Sequence, residues 1–255
     1  MVSFDDEVFT DLPEAEWARN AILYLYSQDV VNGYGNGLYG VKDDVTREQF
    51  VRMLLVALDV PIYKDETPTF SDVVEGSWYE YYVETALKMG VVSGISETEF
   101  GVGMPISRQD MAVMAKRALD YVNHVEPTAE PTEVPAEEVT DPTAEPTEAP
   151  AEEVTEPTAE PETEEPTAEP TAEPEATEAP AEETTADEIE QLIEKLTFTD
   201  TEDIADYALA AVAEMASKGI IKGYEDGSFR PKNTLTRAET AVVIYKIMTE
   251  VYANE

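Results

Sequence analysis

The chain of 255 residues has no cysteine, a single histidine and only 16 Lys and Arg residues. The lack of cysteine excludes a disulfide framework, a thiolate nucleophile and a Cys-based zinc site. The lone His124 argues against a His-rich metal site and a Ser-His-Asp triad. The 56 Asp and Glu residues give a net charge of −40, which argues against binding nucleic acid because phosphates need clustered cations. We therefore expect a protein that is not an enzyme and uses no metal or cofactor.

Long apolar runs are also missing, and the first residues carry no basic segment ahead of an apolar stretch. The sequence therefore predicts neither membrane insertion nor a visible signal peptide. The chain is then either intracellular or a mature piece whose signal peptide has been removed.

Residues 125–186 lack Lys, Arg, Gly, Leu, Ile, Met and aromatic residues, yet hold 12 of the 17 prolines and 21 of the 56 acids. Near-identical units begin at Pro127 and Pro142. Because Ala and Val alone bury too little surface to offset the entropy of ordering, we predict a disordered acidic linker. It would serve as a plain spacer or a glycosylated stalk. Removing its 21 negative charges from −40 leaves −19 on the rest of the chain.

Three segments outside this linker share the same landmarks at the same spacing. Each begins with Phe-x-Asp, continues with an aromatic residue and then a glycine 16 residues later, and reaches an arginine 14 residues after the glycine. The glycines and arginines are Gly33, Gly94, Gly223, Arg47, Arg108 and Arg237. We assign repeat 1 to residues 1–66, repeat 2 to 67–124 and repeat 3 to 187–255, with the linker 125–186 between the last two.

Each repeat reads as helix–loop–helix. The Asp of Phe-x-Asp suits an N-cap of the first helix, and the second helix opens with a capping box, as in Thr236-Arg237-Ala238-Glu239. Glycines such as Gly219 fit the left-handed position that ends a helix. Two short helices cannot bury their apolar faces alone, whereas three pairs can, so we predict an all-α bundle. Ile189, Leu192 and Ile193 predict a further short amphipathic helix ahead of repeat 3.

These motifs resemble the S-layer homology domain family. The resemblance is closest in repeat 3, where residues 219–231 read Gly-Ile-Ile-Lys-Gly-Tyr-Glu-Asp-Gly-Ser-Phe-Arg-Pro and are followed by Thr-Arg-Ala-Glu. It implies a pseudo-threefold helical bundle that anchors proteins to the bacterial wall or S-layer, outside the cell. The implied partner is a secondary cell-wall polysaccharide, often a pyruvylated one.

The resemblance also implies site residues. Arg47, Arg108 and Arg237 correspond to the family's ligand-binding arginine, and a guanidinium pairs well with a carboxylate. The alternative is a solvated first-turn side chain that pairs with a neighbouring acid. Further candidates are the three repeat glycines and four other side chains: Gly33, Gly94, Gly223, Lys42, Lys232, Trp17 and Trp78.

Each further candidate has an alternative. The two lysines are equally compatible with exposed loops, and the two tryptophans with packing in the core or between repeats. Tyr207, the aromatic at the tryptophan position of repeat 3, is expected in the core.

Repeats 1 and 2 depart from the family motif, with Thr-Arg-Glu-Gln and Ser-Arg-Gln-Asp in place of Thr-Arg-Ala-Glu. A long linker also allows repeat 3 to fold back on repeats 1 and 2 or to be exchanged between two chains. The alternative function is therefore a protein–protein assembly module that self-associates through repeat 3 and has vestigial glycan grooves.

Overall fold

The computed structural model describes residues 8–64, 67–124 and 185–252. The disorder predicted for residues 125–186 falls outside these residues, except for the last two positions. The start of repeat 1 also lies outside them.

Seven α-helices and two short 3-10 helices make up the described residues, which contain no strand. Repeat 1 has α1 (Arg19–Ser27) and α2 (Arg47–Ala57), and repeat 2 has α3 (Glu80–Lys88) and α4 (Arg108–His124). After α5 (Ala186–Glu194), repeat 3 contributes α6 (Asp206–Ser217) and α7 (Arg237–Tyr252). The 3-10 helices Leu12–Ala18 and Thr201–Asp203 precede α1 and α6. The all-α prediction is confirmed.

The ends of the helices follow the sequence signals closely. The amide of Thr46 donates to the side chain of Gln49, and the amide of Thr236 donates to Glu239, which closes the capping boxes of α2 and α7. Gly90 and Gly219 both have φ of 70° after their first helices, as expected for a left-handed C-terminal residue. Repeat 1 has Asp29 there, with φ of 56°.

The repeats pack in a closed ring. α3 of repeat 2 packs on α2 of repeat 1, α6 of repeat 3 packs on α4 of repeat 2, and α1 with its 3-10 helix packs on α7. Each first helix therefore covers the second helix of the preceding repeat, which gives the pseudo-threefold arrangement that the family resemblance implies.

Backbone pairing closes the same ring at its centre. Antiparallel bridges join Asp44 to Thr236, Thr46 to Pro105 and Ser107 to Thr234. The residues just before the second helices are fully buried between these bridges: Val45, Ile106 and Leu235. The starts of α2, α4 and α7 are thus held together, which brings their first-turn arginines next to neighbouring repeats.

Asp11 and Asp200 stand at the N-cap positions of the two 3-10 helices, but their side chains make no capping hydrogen bond, so the predicted capping role of the carboxylate is wrong. The carboxylate of Asp11 accepts hydrogen bonds from the amides of Tyr39, Gly40 and Val41, 28 to 30 residues later. Asp72 accepts from the amides of 100–102 in the same way, and Asp200 from those of 229–230. These carboxylates fasten the interhelical loop to the start of the repeat.

The backbone donors also change the acidity of two of these carboxyls. Burial works to raise the pKa of Asp11 and Asp72, but the three loop amides favour the charged form and hold each pKa below its ordinary value.

The predicted helix ahead of repeat 3 is confirmed. α5 covers Ala186–Glu194 and packs on α6 through the half-buried Ile189, Leu192 and Ile193. Thr185 accepts from the amide of Glu188 and provides its N-cap.

Candidate functional site: three grooves between repeats

The three repeat arginines each reach into the interhelical loop of the next repeat. Nε of Arg47 donates to the carbonyl of Phe100 at 3.0 Å, and Nη2 donates to that of Ser93 at 3.3 Å. Arg108 makes the same two bonds in repeat 3, to Phe229 at 2.7 Å and Lys222 at 2.9 Å. We call these the Arg47 groove and the Arg108 groove.

Arg237 completes the ring. Its Nε donates to the carbonyl of Tyr39 at 2.9 Å and its Nη2 to that of Asn32 at 2.8 Å, both in repeat 1. We call this junction the Arg237 groove. All three arginines are buried, with 6–7% of each residue exposed, so none is the solvated side chain of the alternative interpretation.

An aromatic ring supports each guanidinium. The Cζ atom lies 5.0 Å from the ring centre of Phe100 in the Arg47 groove, 4.9 Å from Phe229 in the Arg108 groove and 4.7 Å from Tyr39 in the Arg237 groove. A cation over an aromatic face is favourable. Burial also raises the pKa of Tyr39 to about 12, so this ring stays uncharged at neutral pH.

These contacts fix which part of the guanidinium can meet a ligand. The edge formed by Nε and Nη2 is already bonded to two carbonyls, so the two-pronged carboxylate pairing through that edge is closed. Nη1 is the remaining terminal nitrogen. Burial lowers the pKa of Arg47, against the opposing effect of Asp110 and other nearby groups, but an arginine stays protonated at any ordinary pH.

The residue that faces Nη1 differs between grooves. Asp110, three residues into the second helix of repeat 2, lies 3.8 Å from Nη1 of Arg47. Glu239, at the same place in repeat 3, lies 4.0 Å from Nη1 of Arg108. Repeat 1 has the neutral Gln49 at this position, and among the described residues no carboxylate lies within 4.0 Å of Arg237.

A cavity of about 410 Å³ opens in the Arg47 groove. One face of α4 lines it through side chains at positions i, i+3, i+4 and i+7, together with the loop of repeat 2 and one residue of repeat 3: Asp110, Val113, Met114, Arg117, Gly94, Ile95 and Tyr207. The volume is in the range of small-molecule sites.

Tyr207 lies at this cavity and not in the core, so the prediction for it is wrong. Its hydroxyl donates to Asp110 at 2.7 Å and accepts from Nε2 of Gln109 at 2.9 Å, while 62% of the residue is exposed. Burial and the bond to Asp110 raise its pKa to about 12. Because α6 begins at Asp206, Tyr207 sits in its first turn and reaches across to α4.

Sequence reasoning also missed Arg117, an exposed arginine that lines the cavity. The signal was present, since Arg117 lies seven residues after Asp110 and thus on the same helix face. Nothing in the repeat motif marked it, because the equivalent positions are Val56 and Lys246.

The repeat glycines have a clear packing role. A Cβ added at Gly33, Gly94 or Gly223 would lie within 3.0 Å of a ring carbon of the Phe in Phe-x-Asp. Their backbone flanks the carbonyls of Asn32, Ser93 and Lys222 that accept from the arginines. The glycines thus allow the loop to close over the phenylalanine, and ligand contact by them stays a prediction.

The other candidates lie on the surface. Lys42 is exposed and pairs with Glu14, and Lys232 is exposed. Trp17 is 63% exposed, so packing in the core is wrong for it. Trp78 is half-buried, with its ring edge-on to Tyr79 at 5.3 Å. Trp17 is the repeat equivalent of Tyr207, and its 3-10 helix packs on α7 as the helix of Tyr207 packs on α4.

The model of the S-layer homology domain matches residues 8–51, 69–112 and 197–241, just over half of the chain. The chain belongs to the S-layer homology domain family. The three matches coincide with the three repeats and include all three groove arginines.

Curated relatives share this region. An amylopullulanase of Thermoanaerobacterium thermosulfurigenes is 26% identical over 95% of this chain but only 10% of its own length. The S-layer protein sap of Bacillus anthracis is 32% identical over 34% of the chain and 11% of its own length. A cellulosome-anchoring protein of Acetivibrio thermocellus is 27% identical over 44% of the chain and 26% of its own length. The chain thus spans about a quarter or less of each of these relatives.

The described residues show neither a membrane-spanning helix nor a metal-ligating cluster. Across residues 8–64, 67–124 and 185–252, no helix has both the length and the apolar character that a membrane crossing requires. The part of the chain that the structure describes also holds no group of three His, Asp or Glu side chains able to share a metal ion.

Proposed function

We propose that this S-layer homology module is a non-catalytic wall anchor that binds an acidic, pyruvylated secondary cell-wall polysaccharide in the grooves between its repeats. The observation that supports this proposal is a buried guanidinium at each of the three equivalent junctions between repeats. Loop carbonyls bind its Nε and Nη2 atoms and leave Nη1 without a carbonyl partner. In the Arg47 groove this guanidinium lines a cavity of about 410 Å³.

A pyruvate ketal on a sugar presents a carboxylate and neighbouring hydroxyls. A fixed cation that is shielded from water attracts such a carboxylate more strongly than a mobile surface lysine does. The first-turn position adds the positive end of the helix dipole. The negative charge of the rest of the molecule acts at longer range, where salt screens it, so it does not prevent a short-range contact.

The family and the names of the relatives support the anchoring role. One relative is named an S-layer protein and another a cellulosome-anchoring protein. The match to one-tenth of an amylopullulanase supports a module that is separate from the catalytic part of that protein. We therefore place this module at the cell surface.

Co-sedimentation with purified wall sacculi tests the proposal. The chain should pellet with intact sacculi and stay in solution after their polysaccharide is chemically removed. Arg237→Ala should reduce pelleting, while Lys195→Ala, which removes the same charge outside the grooves, should not. Circular dichroism of each variant separates lost binding from lost folding. Pelleting that is independent of the polysaccharide would sink the proposal.

The second candidate is the assembly module. It is favoured by one observation: the contacts that hold repeat 3 are made to other repeats, through Arg108 with Phe229 and Arg237 with Tyr39. The same contacts would form equally well between two chains. Light scattering over a concentration series distinguishes the two candidates, because exchange of repeat 3 requires a dimer and a persistent monomer contradicts it.

A further inference from the structure

The three junctions between repeats share one pair of equivalent positions away from the groove arginines. One position lies seven residues after the aromatic residue of the repeat motif, and the other lies eight residues after the groove arginine. Because each first helix packs on the second helix of the preceding repeat, the two positions belong to the same interface. The pairs are Thr85 with Leu55, Glu214 with Lys116, and Tyr24 with Tyr245.

The chemistry of this pair differs at each junction. Between repeats 2 and 3 it is an ion pair, with Nζ of Lys116 3.1 Å from a carboxylate oxygen of Glu214. Between repeats 3 and 1 it is a pair of rings, Tyr24 and Tyr245, which meet edge to face with their centres 5.1 Å apart. Between repeats 1 and 2 both positions hold uncharged side chains that are fully buried. The three interfaces are therefore not interchangeable.

Two further charges extend the ion pair between repeats 2 and 3. Asp120, one turn along α4, lies 2.6 Å from Nζ of Lys116, and Lys218, one turn along α6, lies 4.0 Å from Glu214. Burial works to lower the pKa of Lys116, but the bonds to Asp120 and Glu214 raise it above its ordinary value. Glu214 is only 8% exposed, so its carboxylate needs the cation of repeat 2 in place of water.

A wrong pairing of repeats would leave these charges without partners. If α6 packed on α2, Glu214 would face the fully buried Leu55, and a buried carboxylate without a cation is costly. If α1 packed on α4, Lys116 would face the ring of Tyr24 and lose Glu214. We infer that Lys116 and Glu214 direct repeat 3 to the α4 face of repeat 2, which makes this face a binding site for an α6 of complementary charge. The inference goes beyond the proposed function and does not depend on glycan binding.

The experiment mismatches the pair within each chain and matches it between chains. Lys116→Glu places like charges opposite Glu214, and Glu214→Lys places like charges opposite Lys116. Tagged full-length Lys116→Glu is refolded from urea with equal amounts of two untagged chains, Lys116→Glu and isotope-labelled Glu214→Lys. Mass spectrometry then counts each untagged chain that the tagged chain captures.

Exchange of repeat 3 restores opposite charges only when the two variants pair with each other. We therefore expect at least about tenfold more Glu214→Lys than Lys116→Glu among the captured chains, because like charges at a buried contact select against the identical partner. The matched control uses tagged Lys42→Glu with untagged Lys42→Glu and Glu14→Lys. These variants reverse an ion pair that lies inside repeat 1, so they should show no preference.

The double variant Lys116→Glu with Glu214→Lys tests whether the two residues act as a pair. Its urea midpoint should lie close to that of the wild type, whereas each single variant should unfold at lower urea. Equal capture of the two untagged variants, capture of neither, or a double variant no more stable than the single ones would overturn the inference. The proposed function would stand in each case, because the groove arginines are unchanged.

Discussion

In both the Arg108 groove and the Arg47 groove a tyrosine hydroxyl donates to the acid near the arginine, but the two tyrosines come from different parts of the chain. In the Arg108 groove Tyr224, one residue after the repeat glycine, donates to Glu239 of the same repeat. In the Arg47 groove that loop position is Ile95, and the hydroxyl on Asp110 comes from Tyr207 of repeat 3. The grooves therefore conserve a contact, a hydroxyl on the acid near Nη1, although the residue that provides it has changed.

A second difference is how firmly the arginine is held. The guanidinium of Arg108 lies 4.7 Å from the ring centre of Tyr224 and 4.9 Å from that of Phe229, whereas Arg47 lies over one ring of the described residues, Phe100. The ring of Tyr224 also packs against Arg230, whose Cζ lies 4.1 Å from the ring centre. The divergent loop of repeat 2 thus holds its arginine less firmly, and a cavity of about 410 Å³ opens beside it.

The largest expected effect comes from removing the arginines. Arg108→Ala should lower the free energy of unfolding by about 3–5 kcal/mol, since the buried carbonyl of Phe229 and the part-buried carbonyl of Lys222 lose their donor and Glu239 loses the nearby cation. Arg47→Ala should cost about 1 kcal/mol less, because its bonds are longer and it stacks on one ring. Urea denaturation measures both. Equal costs, or a larger cost for Arg47→Ala, would contradict the comparison.

The next largest effect is a difference in stability between variants of Asp72 and Asp200, the carboxylates that bind the interhelical loops of repeats 2 and 3. Asp72 accepts three amide hydrogen bonds, but Asp200 accepts two, because the third position in repeat 3 is Pro231, which has no N–H. We expect Asp72→Asn to cost about 2–3 kcal/mol and Asp200→Asn about 1 kcal/mol less.

Acid should remove the contribution of Asp72 to the free energy of unfolding. The folded-state pKa of Asp72 lies below its ordinary value of 3.8, so its contribution is present above that value and is lost as pH falls through the lower folded pKa. The difference in urea midpoint between wild type and Asp72→Asn should therefore be constant from pH 7 to about pH 5 and shrink below about pH 4. A difference that grows in acid would contradict this account.

The two tyrosine hydroxyls should have smaller effects. Tyr224→Phe should cost about 1 kcal/mol, and Tyr207→Phe should cost slightly more, because Tyr207 also accepts from Gln109. A double-mutant cycle of Tyr207→Phe with Asp110→Asn should show coupling, whereas Tyr207→Phe with Glu239→Gln should be additive.

The smallest effect would come from making the grooves more alike. Ile95 is 50% exposed, so Ile95→Tyr has room and would give Arg47 the loop ring that Arg108 has. We expect a gain of about 0.5 kcal/mol in unfolding free energy. A loss of more than that amount would show that the two loops differ in backbone and not only in side chain.

The sequence predicted those parts of the fold that depend on local chemistry. The capping boxes of α2 and α7, the left-handed Gly90 and Gly219, and the helix near Ile189 all rest on neighbours a few residues apart. The wrong predictions concern contacts across the chain. Asp11 acts 28 to 30 residues away, and the place of Tyr207 depends on which second helix its own helix covers.

For the site, the sequence predicted which residues take part but not their surroundings. Equal spacing and the family resemblance identified Arg47, Arg108 and Arg237, but nothing local indicated that they are buried or bonded to carbonyls, since charged residues are usually exposed. The charge of each groove could be read only once the structure showed that the third residue of the second helix faces the arginine of another repeat.

The central claim is that a buried arginine recognises an acidic sugar of the wall, and one measurement tests it most directly. Purified wall polysaccharide would be titrated into the full chain before and after mild acid removes its pyruvate ketals. We predict at least tenfold weaker binding after removal, with the remaining affinity insensitive to Arg237→Ala. Unchanged binding after removal of the ketals would contradict the claim.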